Sequence, residues 1–140
     1  MGVRLADRRL RTAQQVIDDI YELQLEDMRQ LQAGVPPISE ALHMGRLKYF
    51  RHYPRTGDLE LFDLHRIWEH RGGQCADFAA AVAAERTLAG KPSHVVAYKS
   101  SQEGVIHVVV EDDATGSWID PSRTAGMARS SVPFLQRVQS

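Results

Sequence analysis

The sequence predicts an α+β domain, and three observations predict it. Two long stretches repeat their apolar residues at three- and four-residue steps, the spacing of a helix face. From Val95 to Ile119 the period changes to two, the spacing of half-buried strands. Clusters of Gly, Pro and Asp punctuate the boundaries between these segments. At 140 residues, 43% hydrophobic and 25% charged, the chain suits one compact globular domain. A chain of this length is expected to bury roughly two-thirds of its unfolded surface, so a core can form without staples. The net charge of -1 supplies no whole-molecule field for a phosphate backbone or an anionic bilayer. Neither nucleic acid nor membrane is therefore expected as a partner.

The elements follow in order. Between Thr12 and Gln32, Val16, Ile17, Ile20, Tyr21, Leu23, Leu25, Met28 and Leu31 mark one amphipathic helix. Thr12 is its expected N-cap, Ala33-Gly34 its stop, and Val35-Pro36-Pro37 cannot continue it. Arg4, Arg8, Arg9 and Arg11 before it, partly balanced by Asp7, read as a solvated face. A second short helix is expected after Ser39, whose hydroxyl would cap Ala41-Leu42. Between Arg46 and Asp58 the stretch LKYFRHYPRTGD, aromatic and basic, reads as a surface connector and the rim of a cleft. From Asp58 to His70 a short helix should carry Leu61, Leu64, Ile67 and Trp68 on one face and end before Gly72-Gly73.

Cys75 then opens CADFAAAVAAERTLAG, almost all strong helix formers, with Phe78, Val82 and Leu88 spaced for burial and Gly90 as the stop. Strands are expected at Val95–Tyr98, Val105–Glu111 and Trp118–Ile119, the last halted by Pro121. The tail after Ala125 reads equally as a strand or a short helix. The domain divides into an N-terminal helical region, 1–57, and a core, 58–140. With no apolar segment long enough for a secretory signal or a membrane span, a cytoplasmic setting is expected.

Cys75 is the single cysteine, which excludes a disulfide within these residues and any zinc site built from several of their thiolates. A thiol at a helix N-terminus is favoured as thiolate by the helix dipole and by free backbone N–H groups, the usual route to a nucleophilic cysteine. Such a nucleophile needs a base, and the base needs an acceptor to orient it. His107 and Asp120 fit these roles. A hairpin centred near Asp113-Ala114 would set His107 opposite Asp120 and Val109 opposite Trp118; a turn shifted toward Gly116 would move the pairing by one or two positions. The Cys75 N–H is the natural oxyanion donor, with Gln74 and Trp68 as candidates for a second. His43, His52, His65, His70 and His94 show no recognised zinc-ligand spacing, and no glycine-rich loop follows a strand, so neither metal nor cofactor is expected.

At GGQCADFAAAVAAERTLAG, GVIHVVVEDD and GSWIDPSRTAGM the chain resembles the transglutaminase-like branch of the papain-like cysteine enzymes. In that branch a Cys starts a helix, a His lies in a following strand and an Asp in the next, often before Pro. Asp77, two residues after Cys75, is also common there. The resemblance covers about residues 58–127, half of the chain. It implies a papain-like, transglutaminase-core-like fold in which the N-terminal helices and a nucleophile helix pack on a small antiparallel sheet. It also implies thiol-dependent acyl chemistry on an amide: hydrolysis of a peptide or isopeptide bond in a peptide or protein substrate, or transfer to an amine. In finer detail the Asp-Pro-Ser-Arg run with Gly-Met after it looks like small proteins of tailed-phage and prophage structural gene clusters. That likeness implies virion association and an alternative: an assembly protein that keeps the fold and binds partners through its N-terminal helix.

Overall fold

In the computed structural model the described residues are 3–5, 13–50, 59–99, 106–126 and 136–137. Helix α1 (Ala13–Gln32) buries Ile20, Leu23 and Asp27 along one face and leaves Tyr21 and Glu22 in solvent. Gly34, at φ +103°, ends it: the reversal returns the Val35 N–H to Gln30 O at 3.0 Å. The expected cap, Thr12, lies outside the described residues.

The centre of the molecule is helix α4 (Cys75–Leu88), which is buried without a break from Asp77 to Ala84. Its run of alanines has no bulk to hold neighbours away, so α1 packs on one side and the main sheet on the other. That sheet has the order β7-β6-β5-β8 and is antiparallel throughout: β5 (Ser93–Lys99), β6 (Ile106–Asp112), β7 (Trp118–Ile119) and β8 (Gln136–Arg137). Strand alternation sends Ala97, Val108 and Val110 into the core with Phe78 and pairs Val96 with Val109 on the opposite face. β8 answers for two residues the question the tail left open. Leu88, expected to be buried, is 39% exposed, because the chain turns away at Gly90 (φ +85°) directly after this last helical turn.

Two short pairs flank this core. β1 (Val3–Leu5) runs antiparallel to β3 (Leu59–Leu61), and β2 (Lys48–Tyr49) runs parallel to β4 (Gly72–Gly73). The expected helix from Asp58 to His70 is thus corrected: residues 59–61 form a strand, and helix α3 (Leu64–His70) starts only after Asp63. The cause is local. Asp63 is extended at φ -71° and ψ 174°, and its carboxylate accepts from the Arg66 N–H at 3.0 Å, which fixes it as N-cap. Ser39 is likewise not a cap but the first residue of helix α2 (Ser39–His43). The N-cap is Ile38, and Glu85 Oε1 on α4 accepts from the N–H groups of Ile38 and Ser39 at 2.8 and 3.0 Å. Helix α5 (Pro121–Thr124) follows β7 after Asp120.

Helix α3 ends before Gly72-Gly73, as expected, and Arg71 takes the left-handed conformation (φ 53°) that ends it. Gly72 instead permits a close approach: a Cβ there would lie 2.4 Å from Lys48 O and 2.7 Å from Phe50 Cζ. β4 thereby lies flat against β2 and delivers the chain to the start of α4. No helix among the described residues is long and apolar enough to cross a membrane.

Candidate active site

Cys75 is the first residue of α4 and is half-buried. Its N–H precedes the first intrahelical bond, which runs from Phe78 N–H to Gln74 O at 3.1 Å, so it has no acceptor within the helix. Gln74 is extended at the N-cap, and Asp77 Oδ2 accepts from its N–H at 2.9 Å. The Gln74 side chain lies toward the Asp77 N–H in the manner of a capping box, short of a well-formed cap hydrogen bond. Its amide is therefore turned to the helix end. Trp68 is corrected as an oxyanion donor: its indole N–H, the side chain's one donor, goes to Pro36 O at 2.8 Å.

His107 lies on β6, and its Nε2 is 2.8 Å from Asp120 Oδ2. Nδ1 is the ring nitrogen that Asp120 leaves free, and the Cys75 side chain is near enough to act on the ring. Burial disfavours a charged ring here. The Asp120 carboxylate and Cys75 more than offset it, and together they raise His107 from 6.5 to about 9. The imidazole thus stands between a thiol and a carboxylate, and holds its proton through the neutral range.

The hairpin is centred one residue beyond Asp113-Ala114, between Ala114 and Thr115, which moves the pairing by two positions, as a turn shifted toward Gly116 would. β6 and β7 pair Val110 with Ile119 and Glu111 with Trp118, because the turn closes at its far end, with Gly116 N–H on Asp112 O at 2.8 Å. His107 and Asp120 are therefore not directly opposite. Asp120 follows the last paired residue of β7 at the N-cap of α5, makes no cap bond with its side chain, and turns that side chain to the ring instead. Arg123, one turn on, places Nε 3.4 Å from the same Oδ2. The sequence reading missed this residue, although the i,i+3 spacing of Asp120 and Arg123 signals it. Asp120 Oδ1 and the hydroxyl of Ser122 are buried without hydrogen-bond partners.

Three of the other histidines are engaged in packing or ion pairs: His70 stacks on Phe62 with ring centroids 4.6 Å apart, His65 pairs with Glu69 at 2.8 Å, and His94 pairs with Glu111 and Asp113. His43, the last residue of α2, is exposed. His52 lies outside the described residues. Among the described residues no group of three or more His, Cys, Asp or Glu side chains is placed to hold a metal ion.

No family model and no curated protein matches the chain. Among solved structures, a protein from Cytophaga hutchinsonii provisionally named a cysteine protease is similar in fold, with a TM-score of 0.48 and 17% sequence identity. The likeness covers 96% of this chain but only 44% of that one, so the chain spans less than half the length of this neighbour. A likeness of this extent says nothing about activity. What the site can do chemically rests on its own geometry.

Proposed function

We propose that the chain is a thiol-dependent enzyme acting on amide bonds, of the papain-like, transglutaminase-like kind, with Cys75, His107 and Asp120 as its triad. The observation that carries the reading is the His107 ring held between the Cys75 thiol and the Asp120 carboxylate, with its Nε2 2.8 Å from Asp120 Oδ2. In this reading the thiol's proton already rests on Nδ1 of the charged ring, Sγ attacks the amide carbonyl as thiolate, and the Cys75 N–H steadies the oxyanion. His107 then protonates the departing amine, leaving a thioester on Sγ. The neutral ring next takes a proton from an incoming water, whose oxygen displaces Sγ and releases the acid. Asp120 holds the ring and balances its charge throughout. Hydrolysis is favoured over transfer to an amine because it requires no second substrate site in so short a chain.

The test is acylation by p-nitrophenyl acetate followed by intact mass. One acetyl group should appear on the wild-type protein, be removed by neutral hydroxylamine, and be absent from Cys75→Ser and at least tenfold slower to form on His107→Ala. Equal labelling of all three proteins would refute the reading. Asp120-Pro121-Ser122-Arg123 supports an association with tailed-phage virion assembly, either for the enzyme or for a fold kept without turnover. An inert thiol, together with loss of assembly on substitution of exposed α1 residues such as Tyr21, would favour the second form.

A further inference from the structure

Three carboxyl groups, each 0% exposed, converge on one short stretch of backbone beside the nucleophile. Asp27 Oδ1 on α1 accepts from the Leu64 N–H at 2.7 Å, and Asp63 Oδ1 accepts from the Arg66 N–H at 3.0 Å. Asp77 accepts with both oxygens, from the Phe62 N–H at 2.8 Å and the Gln74 N–H at 2.9 Å. Burying several charged carboxylates together is costly, so this grouping calls for a division of labour. Asp27 Oδ2 has no hydrogen-bond partner. Burial first, with the nearby Asp63 and Asp77 adding to it, pushes Asp27 up to about 8, so it is the neutral member. Asp77 is the member that grips two strands of backbone at once.

A second feature fits this grip. A Cβ on Gly73 would come within 3.0 Å of Asp77 Oδ2 and 3.1 Å of Asp77 Cβ. Glycine at 73 is what lets the carboxylate close on the Gln74 N–H. A cap on α4 alone would need only the Gln74 bond. The bond to Phe62 ties that cap to the segment leading into α3, so the first turn of α4 cannot rotate independently of its surroundings.

We propose that Asp77 is the positioning residue of the nucleophile: by clamping the Gln74 and Phe62 backbones it fixes the turn from which Cys75 faces His107. The proposal rests on Cys75 being the nucleophile. Asp77 touches no reacting atom in it, and acts through the Gln74 peptide.

Asp77→Asn tests it, since Asn keeps the shape but offers one acceptor for two N–H groups. Three readouts are taken at one temperature: thermal unfolding, amide hydrogen exchange at Phe62 and Gln74 by NMR, and the pH profile of Cys75 alkylation by iodoacetamide. The expected result is a folded protein with exchange at one or both amides faster by about tenfold or more. Its alkylation at pH 6–7 should fall by a similar factor, toward the profile of His107→Ala. A lowered unfolding temperature with an unchanged alkylation profile would make Asp77 a stabilising cap only, and overturn the proposal. Should Asp77→Asn not fold, Gly73→Ala crowds the same carboxylate and should move both readouts in the same direction; no movement overturns the proposal. If the wild type already alkylates with the His107→Ala profile, it is the nucleophile reading that fails. Exchange then decides the clamp by itself: faster exchange at Phe62 and Gln74 in Asp77→Asn supports it, and unchanged exchange overturns it.

Discussion

Replacing Asp27 by asparagine should make the protein more tolerant of alkaline pH, against the usual expectation for a change at a fully buried polar site. The native state raises Asp27 from 3.8 to about 8, chiefly by burial. Between those values the folded protein keeps a proton that the unfolded chain has released. Stability therefore falls as pH rises, by ~1.4 kcal/mol per pH unit and by ~6 kcal/mol over the whole window as an upper bound. The sign is the reverse of a salt-bridged Asp: the stability is fully present below 3.8 and is lost by the time pH passes about 8. The asparagine of Asp27→Asn would be neutral at every pH and would still offer an oxygen to the Leu64 N–H. Its amide group would take the place of Oδ2, which has no partner, at a constant cost of about 1–3 kcal/mol. The informative quantity is thus the slope. Urea unfolding at pH 5, 6, 7 and 8 should show the stability of Asp27→Asn gaining on wild type by ~1 kcal/mol per pH unit. A difference that stays constant with pH, or in which Asp27→Asn loses ground to wild type as pH rises, would mean Asp27 is ionised in the native state and would refute the reasoning.

Three further outcomes follow from the structure. Asp120→Ala should bring His107 from about 9 back toward 6.5, read by NMR titration of the ring. The associated stability, ~1–2 kcal/mol after discounting for the ring's partial exposure, is present below 6.5 and lost through about 9. The gap between wild type and this variant should accordingly be widest near pH 6 and close above pH 9. Gly72→Ala should cost ~2–3 kcal/mol in denaturant unfolding, since its Cβ would meet Lys48 O at 2.4 Å and backbone must shift; a neutral result would show that β2 and β4 are not held together. Phe78→Ala, emptying a 0% exposed position between α1 and the sheet, should cost ~3–5 kcal/mol in the same assay.

The parts of the fold that were legible in the sequence are those where one periodicity dominates. α1, α4 and the three strands β5, β6 and β7 follow the spacing of Ile20 and Leu23, of Phe78 and Val82, and of Val108 and Val110. The order of Cys75, His107 and Asp120 was legible for the same reason, since a thiol at a helix start and an imidazole on the next long hairpin need no long-range information. Where the reading failed, a single local bond outweighed a pattern. Leu61, Leu64 and Ile67 are all buried as a helical face would bury them, yet Leu61 is in a strand because residues 59–61 pair with β1 and Asp63 caps α3. The hairpin register depended on how the turn at Asp112–Ser117 closes, which side-chain alternation does not specify. Asp27 was hidden by its neighbours: on a helix rich in acidic residues, nothing in the sequence separates the one that is buried from those that are solvated.

The central claim is that Cys75 is made reactive by His107. The direct measurement is the rate of iodoacetamide alkylation of Cys75 between pH 4 and pH 10, read by intact mass, in the wild type and in His107→Ala. The account predicts a wild-type rate already near its plateau at pH 7, and a variant whose rate rises only as pH approaches the ordinary thiol value of about 8.5. Superimposable profiles, both rising near that value, would show a thiol indifferent to the imidazole beside it and would contradict the account.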